Sequence, residues 1–500
     1  MSKSSATRAA TCVASKVTPS ISKNEQRAVS LILIGAFLLR VYTLGSESFW
    51  LDEAITWHRL KDGPLSFLFD WDADTQGPVY GLILWPWMKL FGTGEAVMRF
   101  PSVIFGVLGL HAMYLLGRRI FNHRAALWAI AFAAVNPFLI YYAQETRPYS
   151  LWFWTSLMAI WYLLRLIDNH SKVNSVGTIT FTLLSLYTHP YGPFLLALQV
   201  SMIAVLAPRA EWKRFLKPAL IAGIAYLPEI LVFAYTFVIK IRDKHNVGAW
   251  ITQPDLFTPW LYMRFYFAWD KLAAGCSLAS IGGLIFYRKK IADYRTGFIT
   301  LAAIAFGFFV LPWLVSQVSP ILWPRYTITV VAALLLLLGW IMSETKRPLQ
   351  ILAVGLFFLG SALPLYHYYT EYDKDPWRQA VAWFSPQIKS GETIVIHPPR
   401  APMALEYYMR DLNSHPVVVV DSTTDVHIAI PDTGSCWFVT AKYNDTDRQR
   451  GAFYEYLKET CDCDSTYNSL PLFPRNPFRI FRAEIEITHC RARASQHSQY

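Results

Sequence analysis

Charge is what this chain has least of. Only 16% of its 500 residues are charged, against about a quarter in soluble domains, and 54% are hydrophobic; this excludes a soluble globular class and indicates a membrane protein. Cysteine is nearly as sparse. Cys12 and Cys276 stand alone, while Cys436, Cys461, Cys463 and Cys490 gather in the last part of the chain. Those four can form disulfides outside the cytosol or remain thiols, with the pairing left open. Cys461 and Cys463 are one residue apart, which is not zinc-ligand spacing, and no obligatory metal or other cofactor is expected. Acid is scarcer than base, 35 residues against 46, for a formal charge of +11. The basic residues lie in short clusters between apolar runs, a pattern that reads as membrane topology and not as a nucleic-acid surface.

What is abundant is apolar sequence. After residues 1–26, rich in Ser, Thr, Ala and Lys and expected to be a disordered cytoplasmic tail, about eleven apolar segments follow, each near the ~20 residues that cross a hydrocarbon core. They run over 27–44, 99–117, 125–140, 149–167, 176–187, 191–206, 218–238, 272–287, 296–315, 326–342 and 348–365. Alternate connections hold the basic clusters, among them Arg118, Arg119 and Arg124, then Lys213, Arg214 and Lys217, then Arg288, Lys289 and Lys290. The positive-inside rule makes those connections cytoplasmic. The first long loop, 45–98, carries only Arg59, Lys61 and Lys89 against eight acids between Glu47 and Glu95, so it faces away from the cytoplasm. The apolar run 78–91 within it is short and interrupted by Pro86, which fits an interfacial or re-entrant helix.

From residue 367 to 500 the composition becomes that of a soluble domain. Helical spacing over 381–388 and 451–459 alternates with β-branched runs at 393–396, 417–420 and 436–440, which predicts a small α/β domain. An odd number of spans places it on the same, extracytoplasmic face as the first loop. The expected fold is a polytopic α-helical membrane domain over 27–366 followed by this α/β domain, in a plasma (inner) membrane.

Candidate chemistry collects on that face. Asp52 and Glu53 lie just beyond the first span; Gln144, Glu145, Arg147 and Tyr149 lie between the third and fourth; His189 and Tyr191 between the fifth and sixth; Arg325 and Tyr326 open the tenth. Membrane anchoring alone calls for none of these, and their convergence in one external cavity is the expectation. Asp70, Asp72 and Asp74 have oxygen-ligand spacing but lack the Gly and Glu of a calcium loop, and read as a solvated acidic face. Arg40, inside the first span, reads as structural.

Several runs together carry a family resemblance: FWLDEA at 49–54, QGPVY at 76–80, RFPS at 99–102, AQETRPYSL at 143–151, THPYG at 188–192, PRY at 324–326 and DPWRQA at 375–380. In this the chain resembles the GT-C class of polyprenyl-phosphate-sugar-dependent glycosyltransferases, particularly the branch of the aminoarabinose transferase and the protein O-mannosyltransferases. The resemblance implies transfer of a sugar from a lipid phosphate on the external face to a glycan, lipid or protein acceptor, without a nucleotide donor. One departure stands out: many relatives carry His-Pro-Pro where this chain has Gln76-Gly77-Pro78.

Chemistry gives each candidate a role. A hydroxyl is a poor nucleophile, so a carboxylate must take its proton; Asp52 is the candidate base, with Glu53 as a second acid, although both could merely mark the water boundary. The departing lipid phosphate needs fixed cations, for which Arg325 comes first and Arg147, Arg264 and Lys271 follow, against the alternative that such residues snorkel to headgroups. Gln144, Glu145, Tyr149, His189, Tyr191 and Tyr326 are the candidate substrate-binding residues. A transporter or flippase is the rival reading; it would place ionisable groups mid-span and show repeated halves.

Overall fold

The computed structural model describes residues 22–64, 76–242, 251–371, 374–409, 411–420, 435–442, 461–469 and 484–492. The acidic series at Asp70, Asp72 and Asp74, the segment 451–459 and most of the expected tail lie outside them. The chain divides into two compact units: Met1–Tyr42 with Thr75–Tyr80 and Phe100–Ala362, and Thr43–Asp74 with Gly81–Arg99 and Leu363–Tyr500.

The first unit is helical. Its opening helix, Lys23–Val41, starts inside the expected tail because Ser22 and Glu25 form a reciprocal cap: the Glu25 N–H donates to Ser22 Oγ at 3.3 Å and the Ser22 N–H to Glu25 Oε2 at 2.7 Å. All eleven apolar segments contain helix. Among the described residues, five helices are long and apolar enough to cross a membrane: Glu95–Ile120, Tyr149–Asp168, Arg288–Val315, Pro324–Glu344 and Arg347–Thr370. A sixth is made if His123–Ala134 and Pro137–Ala143, bent by 65°, count as one.

Several of the other segments are shorter or broken, for local reasons. Pro137 cannot continue the preceding helix, and Asn136 caps a new one by accepting from the Leu139 N–H at 2.9 Å. Tyr226 ends Trp212–Ala225 just before Pro228 opens the next helix. The 15 residues of Lys172–Leu186 and of Gly192–Leu206 reach only about 22 Å each at 1.5 Å per residue.

Close approach holds these helices together. A Cβ on Gly339 would stand 2.3 Å from the Ala125 carbonyl oxygen, so Ile328–Glu344 can lie against His123–Ala134 only with glycine there. Arg40 is fully buried, as a structural residue should be when it spends its donors on backbone: it donates to the Ala134 and Ala133 carbonyls at 3.1 and 3.2 Å, at the end of the helix those residues close. Gly77 is required by the same kind of contact, since a Cβ would fall 2.3 Å from the Tyr187 carbonyl.

The second unit contains a five-stranded sheet, β1 Thr393–His397, β2 Val417–Val419, β3 Ser435–Lys442, β4 Cys461–Asn468 and β5 Glu484–Ala492, in the order β2-β1-β3-β5-β4. β1 runs parallel to β2 and β3, and β5 antiparallel to β3 and β4. The helix expected over 381–388 spans Trp377–Phe384; Ser385 keeps helical backbone, and Pro386, with no N–H to donate, ends the ladder there. Cys463 and Cys490 form a disulfide across β4 and β5, and Cys436 and Cys461 are buried thiols. Burial pushes the Cys436 thiol up to about 12, with Cys461 adding to it, so it stays protonated.

One carboxylate ties the sheet to its preceding turn. Glu392 accepts from the Lys389 N–H at 2.8 Å, Ser435 Oγ at 2.6 Å and Trp437 Nε1 at 3.0 Å. Burial opposes its ionisation, but these donors and nearby His489 outweigh it and hold the carboxyl at about 2, below the ordinary 4.5. Because the folded carboxyl binds its proton less readily than the unfolded one, its contribution to stability is complete above about pH 4.5 and is lost as pH falls toward 2. The stability difference between wild type and Glu392→Gln, from denaturant unfolding in detergent followed by Trp fluorescence, should shrink across that window. A difference independent of pH would contradict this assignment.

Candidate active-site residues

In the second unit, runs far apart in sequence fold into one ion cluster. The FWLDEA run opens the helix Leu51–Lys61, with Trp50 at its N-cap position. Indole has no oxygen with which to cap a helix, and the acceptor comes from elsewhere: the Leu51 N–H donates to Asp375 Oδ2 at 3.2 Å, while Ser48 Oγ donates to the Asp375 carbonyl at 2.6 Å. Glu53 is 0% exposed. Arg99 grips it with two bonds of 2.7 Å, from Nε and Nη2, and Lys374 Nζ reaches it at 3.1 Å.

Arg99 donates further to the carbonyls of Leu44, Glu47 and Ser48 at 3.0, 2.9 and 2.9 Å, which fixes the approach to the helix. A second layer backs it: Arg378 and Tyr408 both donate to Glu95, and the Tyr408 hydroxyl accepts from the Phe49 N–H at 2.6 Å. Burial, then the Glu95 carboxylate, push the Tyr408 hydroxyl far up, so it remains a donor. Further along the helix, His58 and Lys61 bond Glu406. Burial works against Glu406 ionising, yet those two bonds outweigh it and hold the carboxyl below its usual value.

The two acids of the pair are therefore unlike. Both oxygens of Glu53 are engaged by buried cations. Asp52 is half-buried, and its backbone carbonyl accepts from Thr56 Oγ1 at 3.0 Å.

In the first unit, two buried guanidiniums share an aromatic wall. Arg147 and Arg325 are 3% and 5% exposed, and their guanidinium carbons lie 5.9 and 5.5 Å from the centre of the same Tyr149 ring. Arg325 also lies 5.7 Å from the Tyr326 ring. His189 completes the wall, 5.0 Å from Tyr326, 5.3 Å from Tyr191 and stacked on Trp152 at 5.3 Å. The Tyr191 N–H donates to His189 Nδ1 at 3.1 Å, so a neutral ring carries its proton on Nε2. The Tyr191 hydroxyl donates to the Ile321 carbonyl at 2.8 Å. Paired guanidiniums on an aromatic floor suit a phosphate, which takes bidentate bonds while the rings exclude water.

Elsewhere the candidates separate. Gln144 donates to the Arg40 and Tyr42 carbonyls at 2.9 and 2.7 Å, so it closes the end of the first helix. Glu145, fully buried one residue on, stays with the arginine group: it bears electrostatically on Tyr142 along with Arg325, and Tyr142 packs on Tyr149 at 5.3 Å. Arg264 pairs with Asp270 at 2.5 Å on a half-exposed surface, and Lys271 is exposed beside Trp269, its Nζ 5.8 Å from that ring.

Residues 75–235 match the family model described as dolichyl-phosphate-mannose-protein mannosyltransferase. No curated protein matches the sequence. Among solved structures, the crystal structure of ArnT from Cupriavidus metallidurans bound to undecaprenyl phosphate superposes with a TM-score of 0.54 at 13% identity, covering 92% of this chain and 97% of that one. The apo form of ArnT gives 0.56, also at 13% identity, over 95% and 99%. The archaeal oligosaccharyltransferase AglB from Archaeoglobus fulgidus, in complex with an inhibitory peptide and a dolichol-phosphate, gives 0.56 at 11% identity over 84% and 69%.

The fold is GT-C. On that scaffold the sequence motifs divide into two sets. FWLDEA, the arginine of RFPS and the start of DPWRQA build the Glu53 cluster. The serine of RFPS bonds the other set: Ser102 Oγ lies 3.2 Å from the Arg147 carbonyl and 2.8 Å from the Tyr80 hydroxyl of QGPVY. Sequence reasoning passed over Arg99, Lys374, Asp375 and Trp152 as site residues. The available signal for the first three was a charged residue in or beside a motif, because an Arg at the mouth of an apolar helix or a Lys-Asp after one is costly unless paired; Trp152 carried no such signal.

Proposed function

We propose that this chain is a multi-pass membrane glycosyltransferase that moves one sugar from a polyprenyl-phosphate donor to an acceptor hydroxyl outside the cytoplasm. The observation that carries the reading is the buried Arg147 and Arg325 pair on one tyrosine ring, in a chain with the fold of a protein whose structure holds undecaprenyl phosphate. Asp52 takes the acceptor's proton as the bond to the anomeric carbon forms; the glycosidic oxygen leaves with the lipid phosphate, whose charge the two guanidiniums hold. Direct displacement by one base inverts the anomeric centre. The acceptor is a lipid-linked glycan, a cell-wall polymer or a protein, and no obligatory metal takes part.

About eleven crossings, with the short helices tilted or lengthened by their flanks, place the first loop and the sheet-bearing segment on the extracytoplasmic side of a plasma membrane, as the basic clusters of the alternate connections support. Transport of a lipid-linked saccharide is the less favoured reading, because the fold and the family match both belong to transferases.

The test incubates purified protein with radiolabelled undecaprenyl-phosphate and dolichyl-phosphate sugars and membrane extract. Wild type should transfer label from a lipid phosphate and not from a nucleotide sugar. Arg325→Ala should raise the donor KM about tenfold or more, since hydrogen bonds to a charged group are worth about 1.5–3 kcal/mol. Label arriving only from nucleotide sugars would overturn the reading.

A further inference from the structure

The base proposed above sits in the first turn of a helix that supplies no side-chain cap of its own, and the turn is held by a segment from the far end of the chain. Asp375 acts at both ends of this junction. Its carboxylate accepts from the Leu51 N–H at 3.2 Å, and its carbonyl accepts from Ser48 Oγ at 2.6 Å. Asp375 is 0% exposed, and its neighbour Lys374, 3% exposed, is bonded to Glu53. Asp52 lies between the two residues so gripped, Leu51 on one side and Glu53 on the other. The orientation of its carboxylate therefore follows from backbone that Lys374 and Asp375 fix.

We propose that Asp375 is a positioning residue for sugar transfer: it caps the helix Leu51–Lys61 in place of a local N-cap residue and so aims the Asp52 carboxylate. This rests on the reading of Asp52 as the base. A buried carboxylate at a helix N-terminus is favoured by the free N–H groups and the positive end of the helix dipole, which explains an acid at this buried place without assigning it chemistry. Loss of the cap leaves the first turn free to fray, and a displacement of about 1 Å at the reacting group is enough for a rate loss of about 10².

The experiment measures steady-state transfer from a radiolabelled polyprenyl-phosphate sugar for wild type, Asp375→Ala, Asp375→Asn, Ser48→Ala and Asp52→Asn, with thermal melting of each in detergent. Asp375→Ala should lower kcat about tenfold or more with the donor KM within about twofold of wild type. Asp375→Asn keeps an oxygen acceptor for the Leu51 N–H and should recover most of the rate. A merely structural role would lower the melting temperature of both variants without splitting kcat from KM. If Asp375→Ala fails to fold, Ser48→Ala carries the same readout, with a smaller fall in kcat expected. Wild-type kcat in Asp375→Ala, or in Ser48→Ala where the former is unfolded, overturns the positioning role if Asp52→Asn is inactive. Full activity of Asp52→Asn overturns the assignment of the base itself, and with it this proposal.

Discussion

Asp52→Asn is expected to lower kcat for sugar transfer by about 10²–10⁴, the range a positioned general base contributes, while leaving the melting temperature and donor KM close to wild type. The substitution keeps size and shape and removes only basicity. Asp52 is half-buried, and the Thr56 hydroxyl bonds its backbone carbonyl, a bond that asparagine retains. Donor binding should persist because the phosphate is assigned to Arg147 and Arg325, held by their own aromatic wall. The measurement is label transfer at saturating donor, with donor binding followed separately by competition with undecaprenyl phosphate. A variant within threefold of wild-type kcat would remove Asp52 from the chemistry.

The contrast with Glu53 shows what the sequence could and could not say. Adjacent acids beyond an apolar helix look alike in a string of letters. What separates them is the partner each finds, and the partners of Glu53 are 46 and 321 residues away. No local pattern encodes that. The apolar segments were legible because hydropathy over some twenty residues is a sum, insensitive to detail; the breaks at Pro137 and Pro228 were present as letters, but their effect on helix length is a matter of local geometry.

The strands at 393–396, 417–420 and 436–440 were legible as β-branched runs, with β1, β2 and β3 covering them closely. β4 and β5 were not: Cys461–Asn468 is polar and largely exposed, and it is held by pairing with β5 and by the Cys463–Cys490 disulfide. Among the site residues, Arg147, Tyr149, His189, Tyr191, Arg325 and Tyr326 are brought together as a group. Gln144 lies in the same motif and is bonded to the Arg40 and Tyr42 carbonyls, partners about a hundred residues away that no local pattern encodes.

Glu53→Gln should also abolish transfer, but by unfolding and not by chemistry. The Glu53 side chain is 0% exposed, and the Arg99 and Lys374 side chains are each 2% exposed. One carboxylate thus serves two buried cations, and Arg99 donates further to the Leu44, Glu47 and Ser48 carbonyls. Removing the anion takes from both buried cations the carboxylate they share, and breaking a buried pair from one side costs about 3–5 kcal/mol, comparable with much of a domain's net stability. The expected result is a large fall in melting temperature or loss of monodisperse protein in detergent, where Asp52→Asn melts like wild type. The origin of the effect is checked by the double variant Glu53→Gln with Lys374→Met, which takes away one of the two cations and should recover part of the lost stability. If Glu53→Gln melts like wild type and loses only kcat, Glu53 would belong to the reaction, and the ion cluster would have to be read as part of the catalytic apparatus and not as its support.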